Sequence, residues 1–142
     1  MSKTPVPAEL RAQIAADARG LCGYCRSGEE VSGILFEIEH LKPQASGGRT
    51  VRRNLWLACP MCNKRKSKRT RVRVTGTKRM VRLFNPRWDR WTDHFRWVDG
   101  GERIEGITDI GRAAVDALEL NLAVRVAGRK VWMKAGHHPP AD

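Results

Sequence analysis

Acidic residues are absent from a long central part of the sequence. No Asp or Glu occurs from Leu41 through Trp88, whereas fifteen Lys and Arg residues fall in that interval. The whole chain of 142 residues carries a formal net charge of +12. A surface of this kind favours a polyanion as its partner, and the acid-free interval argues against a merely basic, soluble protein.

Long apolar runs are absent as well. No stretch approaches the roughly 18 apolar residues that a membrane-spanning helix needs. The N-terminal residues "MSKTPVPAEL" lack the apolar stretch of a signal peptide, so a cytoplasmic location without membrane contact is expected. The length predicts a single domain over residues 1–142 with a core of modest size.

The chain has only four cysteines, and they form two closely spaced pairs. Cys22 and Cys25 lie in "CGYC", and Cys59 and Cys62 lie in "CPMC" after an insert of 33 residues. Two such pairs in a cytosolic chain predict one tetrahedral zinc ion bound by four thiolates. Redox disulfides or unrelated core cysteines explain the doubled spacing less well.

Helical and strand signals alternate in the first half of the sequence. A helix is predicted from Pro7 to about Arg19, and a strand from Val31 to Glu39. Leu41 to Arg53 contains turn residues without apolar periodicity and is predicted to be a loop. A basic helix is expected to begin near Pro60 or Met61 and to run through "NKRKSKR".

Two hairpins and a helix are predicted in the second half. "RVRVTGTKRMVRLF" alternates basic and apolar residues with Gly76 near its turn, and residues 94–107 turn at Asp99–Gly100–Gly101. A final helix begins at about Thr108, with Val115, Leu118, Leu122 and Val126 as core positions. The aromatic residues before and within the second hairpin are interpreted as packing residues rather than base-stacking ones: Trp88, Trp91, Phe95 and Trp97.

The stretch "FEIEHLKPQ", residues 36–44, ends a strand pattern on Glu39 and His40. The pair is either a structural ion pair at a strand end or a catalytic base beside a metal ligand. Successive side chains of an ideal strand point to opposite faces, so both residues serve one site only if the strand ends near His40 or if a phosphate spans the gap. Pro43 favours an early end.

The segment "EIEHLKPQASGGRTVRRNLWLACPMCNKRKS" resembles the signature of the HNH endonucleases. It is most similar to the subgroup whose ββα-metal (His-Me finger) core is stapled by a four-cysteine zinc, and the resemblance covers about residues 15–70. It implies an α+β fold with a zinc-stapled nuclease core over residues 8–74. Residues 75–135 then form a C-terminal extension of β-hairpin and helix.

The resemblance also implies roles for individual residues. His40 would be the general base that activates water, since imidazole has an unperturbed pKa near 6.5. Glu39 and Asn63 would hold a catalytic Mg²⁺ or Mn²⁺ through oxygen atoms, and Asn54 would tie down the loop that orients the base. Many relatives have His in place of Asn63 and Asp in place of Glu39.

The implied activity is metal-dependent hydrolysis of phosphodiester bonds in DNA by an endonuclease. The zinc would be structural and take no part in the chemistry. The alternative is a zinc-stapled nucleic-acid binding module without activity, which has no need of the set Glu39, His40, Asn54 and Asn63. The expected DNA contacts lie on the basic helix: Lys64, Arg65, Lys66, Lys68 and Arg69.

Overall fold

A β-hairpin followed by a short helix forms the centre of the first part of the chain. The protein is described over residues 5–141 by a computed structural model, in which the chain divides into two units. Unit 1 runs to Thr70 and includes Asn85–Trp88, and unit 2 comprises Arg71–Phe84 and the chain from Asp89 onward. The elements of unit 1 are α1 (Ala8–Asp17), α2 (Glu29–Ser32), β1 (Glu37–His40), β2 (Leu55–Ala58) and α3 (Pro60–Lys66).

The core of unit 1 lies between α1 and the β1–β2 hairpin. The two strands pair antiparallel, with Glu37 opposite Ala58 and His40 opposite Leu55. Leu55, Leu57 and Ala58 of β2 are fully buried, whereas Trp56 is half-buried. Helix α1, whose Ile14 is also fully buried, packs against this strand. With α3 following directly, β1–β2–α3 is the ββα arrangement that the sequence predicted, and the α+β class is confirmed.

The strand predicted from Val31 to Glu39 is shorter than expected. Val31 belongs to the one-turn helix α2, which ends at Gly33 in the left-handed region with a φ of 69°. The Glu29 carboxylate accepts the backbone N–H of Phe36 at 2.8 Å and so closes the following loop. β1 consequently begins only at Glu37, and it ends at His40.

Unit 2 consists of two hairpins and three helices. Its elements are β3 (Arg71–Arg73), β4 (Met80–Arg82), α4 (Trp91–His94), β5 (Phe95–Val98), β6 (Arg103–Gly106), α5 (Asp109–Ala117) and α6 (Ala123–Lys134). β3 pairs with β4 and β5 with β6, so both predicted hairpins form. Helix α5 packs closely against the rest of unit 2, since a Cβ added at Gly111 would lie 1.9 Å from the carbonyl oxygen of His94.

The single final helix expected from Thr108 is instead two helices. Thr108 caps α5 as predicted, but the chain turns at Glu119, whose φ is 48°, and α6 starts afresh at Ala123. Of the predicted core positions, Leu118 is fully buried as expected, whereas Val115, Leu122 and Val126 are half-buried. The buried residues of α6 are Arg125 and Arg129. Arg129 donates to the carbonyl oxygens of Leu120 and Glu102, so its buried charge is satisfied by backbone.

The aromatic residues divide between packing and exposure. Trp91 and Phe95 are buried in unit 2, with their ring centroids 5.2 Å apart, and Trp97 contacts Trp91 at 5.1 Å. Packing therefore accounts for these three side chains. Trp88, in unit 1, is 77% exposed, so packing does not explain it.

Membrane crossing was examined over the same described range. No helix between residues 5 and 141 combines the length and the apolar character that a bilayer span requires.

Candidate functional site

The four cysteines converge at one point in unit 1. Their sulfur atoms all lie within 4.8 Å of one another, and Cys25 Sγ is 3.7 Å from Cys59 Sγ. Four sulfurs at about 2.3 Å from a tetrahedral zinc would be separated by about 3.8 Å, and none of the four is in a disulfide. The cluster therefore fits a structural metal of the zinc type.

The local sequence explains why Cys59 and Cys62 lie at the start of α3. Cys59 is the N-cap residue of this helix, and its sulfur accepts the backbone N–H of Cys62 at 3.4 Å. Pro60 occupies the first helical turn, where its missing N–H costs nothing. Asn63 follows Cys62 directly, so the metal cluster fixes the start of the helix that carries Asn63.

Burial makes this cluster dependent on a cation. Removal from water raises the pKa of the Cys22 and Cys62 thiols well above the usual value. Metal ions bind thiolates rather than thiols, so the bound cation must offset the free-energy cost of these buried charges. Metal binding and the folding of unit 1 are thus expected to be coupled.

His40 is the last residue of β1 and is held at both its ring and its backbone. Its Nε2 is 2.9 Å from the hydroxyl oxygen of Thr50, in the loop that follows. Its carbonyl oxygen accepts a hydrogen bond from Lys66 Nζ at 3.3 Å. The ring is half-buried, which leaves it partly accessible to solvent.

Asn54 closes the loop between His40 and β2 with three hydrogen bonds. Its Oδ1 accepts the backbone N–H of Lys42 at 2.8 Å, and its Nδ2 donates to the carbonyl oxygens of Lys42 and Arg49 at 3.1 and 2.9 Å. Its own carbonyl oxygen accepts the N–H of Leu41 at 2.8 Å. Asn54 thereby connects both ends of the loop that carries Thr50.

Gly48 is required by the tightness of this loop. A Cβ at this position would lie 1.7 Å from the carbonyl oxygen of Lys42, which is inside any tolerable contact. The Gly48 N–H also donates to the carbonyl oxygen of Pro43 at 2.9 Å. The loop folds back on its own start in a way that only glycine allows.

Glu39 points into the interior of unit 1. Its side chain is buried, and Oε1 accepts a hydrogen bond from the hydroxyl of Tyr24, which lies between Cys22 and Cys25. Burial, and next the Glu39 carboxylate, raises the pKa of Tyr24 well above its usual value. Tyr24 therefore stays protonated and donates a hydrogen bond to the carboxylate of Glu39.

The exposed neighbour of Asn63 is Glu37. The amide Nδ2 of Asn63 donates a hydrogen bond to Glu37 Oε2, which links α3 to the start of β1. The sequence predicted that Asn63 holds the metal together with Glu39, and the structure shows Asn63 hydrogen-bonded to Glu37. The period of two along a strand was the available signal, since Glu37 and Glu39 lie on one face of β1.

Glu39 and His40 leave β1 in opposite directions, as the strand pleat requires. Glu39 reaches Tyr24, whereas the His40 ring reaches Thr50. The strand ends at His40, which is the condition under which the sequence allowed both residues to serve one site. Each of these side chains thus contacts a different partner. Among residues 5–141 the four cysteines are the only group of three or more His, Cys, Asp or Glu placed to hold a metal ion.

The basic helix presents fewer cations to solvent than the sequence suggested. Lys66, a predicted phosphate contact, is only 3% exposed, and its ammonium group binds the His40 backbone instead. Lys66 faces inward because it lies one turn after Asn63, on the helix side toward β1. The other predicted contacts are exposed or half-buried: Lys64, Arg65, Lys68 and Arg69.

Three further cations lie in the loop that follows His40 and were not predicted as DNA contacts from the sequence. Lys42, Arg49 and Arg53 are exposed in the loop between β1 and β2. Their positions follow from loop closure by Asn54, which no local pattern in the sequence reveals. Each is available to a phosphate group near His40.

An ion-pair network ties this loop to α1. Both carboxylate oxygens of Asp17 bind Arg52, with the closer contact at 2.6 Å, and Arg87 Nη2 also reaches Asp17 at 2.6 Å. The Arg52 hydrogen bond, and then Arg87, lowers the pKa of Asp17 to about 2. Arg87 in turn lies over the Trp56 ring of β2, with its guanidinium carbon 4.7 Å from the ring centroid.

Comparison with known proteins identifies the segment that carries these features. Residues 22–69 match the family model described as HNH endonuclease. No curated protein and no solved structure matches the chain. The matched segment contains both cysteine pairs and the complete loop between β1 and β2.

Proposed function

We propose that this chain, which carries an HNH endonuclease segment at residues 22–69, hydrolyses phosphodiester bonds in DNA with the help of a divalent metal ion. The observation that carries the proposal is the position of His40. It ends β1, its ring is oriented by Thr50, and its loop is closed by Asn54. A histidine that only ended a strand would need none of this support.

His40 is proposed to accept the proton of the attacking water. When Nε2–H donates to the Thr50 hydroxyl, the basic lone pair of the imidazole lies on Nδ1. The Lys66 hydrogen bond holds the His40 carbonyl and so restricts the backbone that carries the ring. General-base catalysis by a positioned imidazole contributes typically about 10²- to 10⁴-fold in rate.

Glu39 and Asn63 are proposed as the residues that hold the catalytic cation. A carboxylate and an amide supply the oxygen ligands that Mg²⁺ and Mn²⁺ prefer. When bound, the cation supplies charge stabilisation for the phosphate. Glu37 accepts from Asn63 Nδ2, so it directs the amide oxygen of Asn63 away from itself and acts as a positioning residue.

The four-cysteine cluster is proposed to hold Zn²⁺ in a structural role. All four ligands are protein sulfurs, so no coordination position remains for water or substrate. Its proposed function is to join the Tyr24 segment to the start of α3. Tyr24 then binds Glu39 of β1, and Asn63 of α3 binds Glu37 of β1.

DNA is proposed to follow the exposed cations of unit 1. They are Lys64 of α3, Lys68 and Arg69 just after this helix, and Lys42, Arg49 and Arg53 of the His40 loop. Phosphate contacts of this kind fix the position of the backbone without reading sequence.

One observation favours a second candidate function, a zinc-stapled nucleic-acid binding module without activity. Glu39 is only 3% exposed and its Oε1 is bound by Tyr24, as expected of a carboxylate with a purely structural role. The binding module needs the cations and the metal cluster, but it needs neither the His40 ring nor added Mg²⁺.

Nicking of a supercoiled plasmid separates the two functions. Zinc-loaded protein is incubated with plasmid, with and without Mg²⁺, and the relaxed form is quantified. The proposal predicts relaxation that requires Mg²⁺ and is lost in His40→Ala. The control His137→Ala removes a histidine at an exposed position outside unit 1 and should retain relaxation. Binding without relaxation at any Mg²⁺ or Mn²⁺ concentration would leave the binding module as the function.

A further inference from the structure

The β3–β4 hairpin of unit 2 has two chemically different faces. Val72 and Val74 are buried, at 3% and 4% exposure, whereas Arg71 and Arg73, which alternate with them along the strand, are exposed. The partner strand repeats the pattern, with Val81 half-buried between exposed Met80 and Arg82. The inner face thus packs on unit 2, and the outer face is cationic.

The strand register places two positive charges directly opposite each other. Arg71 pairs with Arg82 across the hairpin, and Arg73 pairs with Met80. Directly opposed residues in an antiparallel pair have Cβ atoms about 4.5–5.5 Å apart, and like charges at that position destabilise the pair. The carboxylate of Asp89, which binds Arg82, offsets part of this repulsion.

Only some of the hairpin cations are neutralised within the protein. Arg82 binds both carboxylate oxygens of Asp89, at 2.6 and 2.8 Å, and Arg79 binds Asp109 at 2.7 Å. These two pairs lie within unit 2 and fix the hairpin to it. No carboxylate among residues 5–141 forms an ion pair with the three remaining cations: Arg71, Arg73 and Lys78.

The hairpin is held in a defined shape. Val74 N–H donates to the carbonyl oxygen of Arg79 at 3.0 Å, and the Thr77 hydroxyl donates to the carbonyl oxygen of Val74 at 2.8 Å. Gly76, with a φ of 78°, makes the turn between them. An ordered ribbon loses less conformational entropy on binding than a mobile loop of the same charge.

We propose that the outer face of the β3–β4 hairpin is a second DNA-binding surface, on which Arg71, Arg73 and Lys78 bind the phosphates of duplex DNA. A two-stranded ribbon has the width that the major groove of B-DNA admits, about 12 Å. The hairpin belongs to unit 2 and lies outside the matched segment, so it binds DNA whether or not unit 1 cuts it.

Salt-dependent binding of the full-length, zinc-loaded chain tests this proposal. A fluorescent 30-base-pair duplex is titrated over a range of salt without Mg²⁺, so that binding is measured without cleavage. The test protein is the triple variant Arg71→Gln/Arg73→Gln/Lys78→Gln. The matched control removes three exposed cations elsewhere in unit 2, in Arg90→Gln/Arg103→Gln/Lys134→Gln.

The hairpin variant should reduce the slope of log K against log salt by about 2 to 3, because each phosphate contact contributes about 0.9. Its affinity at 0.15 M salt should fall by about 10- to 100-fold. The control should change the slope by less than about one. Arg71→Lys/Arg73→Lys/Lys78→Arg keeps the charge and should bind as the wild type does, and circular dichroism confirms that each variant is folded.

Three outcomes would overturn the proposal. These are an unchanged slope in the hairpin variant, an equal loss in the control, and a loss of binding in the charge-conserving variant as large as in the hairpin variant. Plasmid relaxation measured in parallel keeps the two proposals apart. If the slope falls but neither the wild type nor any variant relaxes the plasmid, the hairpin proposal is supported and the nuclease proposal is wrong. If the plasmid is relaxed but the slope is unchanged, the nuclease proposal is supported and the hairpin proposal is wrong.

Discussion

Asn63 donates its amide hydrogen to Glu37, while Glu39, two residues further along β1, accepts from Tyr24. The two carboxylates on one face of a short strand therefore have different environments, one exposed beside α3 and one buried beside the cysteine cluster. The two carboxylates should therefore contribute differently to the proposed metal-dependent cleavage.

Replacing the two carboxylates separately should distinguish a ligand from a positioning residue. If Glu39 holds the metal as proposed, Glu39→Gln should raise the Mg²⁺ concentration for half-maximal cleavage by more than about 100-fold, because an anionic ligand would be lost. Glu37→Gln should raise it by about 10-fold, since it acts through Asn63. Cleavage rates across an Mg²⁺ titration measure both, with Glu30→Gln on α2 as the exposed control. A larger effect for Glu37→Gln than for Glu39→Gln would make Glu37 the ligand.

Loss of the loop closure should slow cleavage without releasing the metal cluster. Asn54→Ala removes three hydrogen bonds, and we expect the single-turnover rate to fall about 10- to 100-fold while zinc content stays at one per chain. Gly48→Ala should be more severe, because its Cβ meets the Lys42 carbonyl. Gly47→Ala, where a Cβ meets nothing within 4 Å but φ is 89°, is the comparison variant for backbone strain without a steric clash. If Asn54→Ala cuts DNA at the wild-type rate, closure of the loop by Asn54 is not needed for cleavage.

Removal of one cysteine should unfold unit 1. Cys59 supplies both a metal ligand and the cap of α3, so Cys59→Ser should lose zinc and the cooperative thermal transition of this unit. Elemental analysis should give one zinc per wild-type chain. Protein purified without chelator that contains no zinc, or a Cys59→Ser variant that melts like the wild type, would contradict a structural metal.

The Asp17 network predicts a specific loss of stability in acid. Its pKa lies at about 2 in the folded protein against an ordinary value of 3.8, so the folded state binds the proton less tightly. The stabilisation is complete above about pH 4 and is lost as pH falls toward 2. Asp17→Asn should therefore lower the free energy of unfolding by about 1–2 kcal/mol at pH 7 but have little effect at pH 2.

Urea unfolding of the wild type and Asp17→Asn at pH 7 and pH 2 measures this difference. Asp93→Asn, a change of the same kind at an exposed position of unit 2, is the control and should show no such dependence. If Asp17→Asn lowers the free energy of unfolding equally at both pH values, the ion pairs of Asp17 are not the cause of the loss.

The sequence predicted the parts of the site whose signals are local. Cysteine spacing located the metal cluster, and the order of His40, Asn54 and Asn63 along the chain indicated the ββα core. The partners across the fold were not predictable. The contact of Glu37 with Asn63 depends on where α3 lies over β1, and the inward turn of Lys66 depends on the same packing.

The secondary structure was missed where backbone geometry overrides side-chain periodicity. The final apolar pattern continues through Glu119, but the chain turns there in the left-handed region and two helices result. The burial of Arg125 and Arg129 could not be predicted either. Both side chains donate hydrogen bonds to backbone carbonyls, and the pattern of apolar residues in the sequence does not indicate such contacts.

The single-turnover cleavage rate of His40→Ala tests the central claim most directly. Saturating amounts of zinc-loaded wild type and variant are mixed with duplex DNA and Mg²⁺, and DNA affinity is measured separately without Mg²⁺. If His40 accepts the proton of the attacking water, the variant should cut about 10²- to 10⁴-fold more slowly while its affinity and zinc content stay unchanged. A His40→Ala protein that cuts at the wild-type rate would show that His40 is only the last residue of a strand.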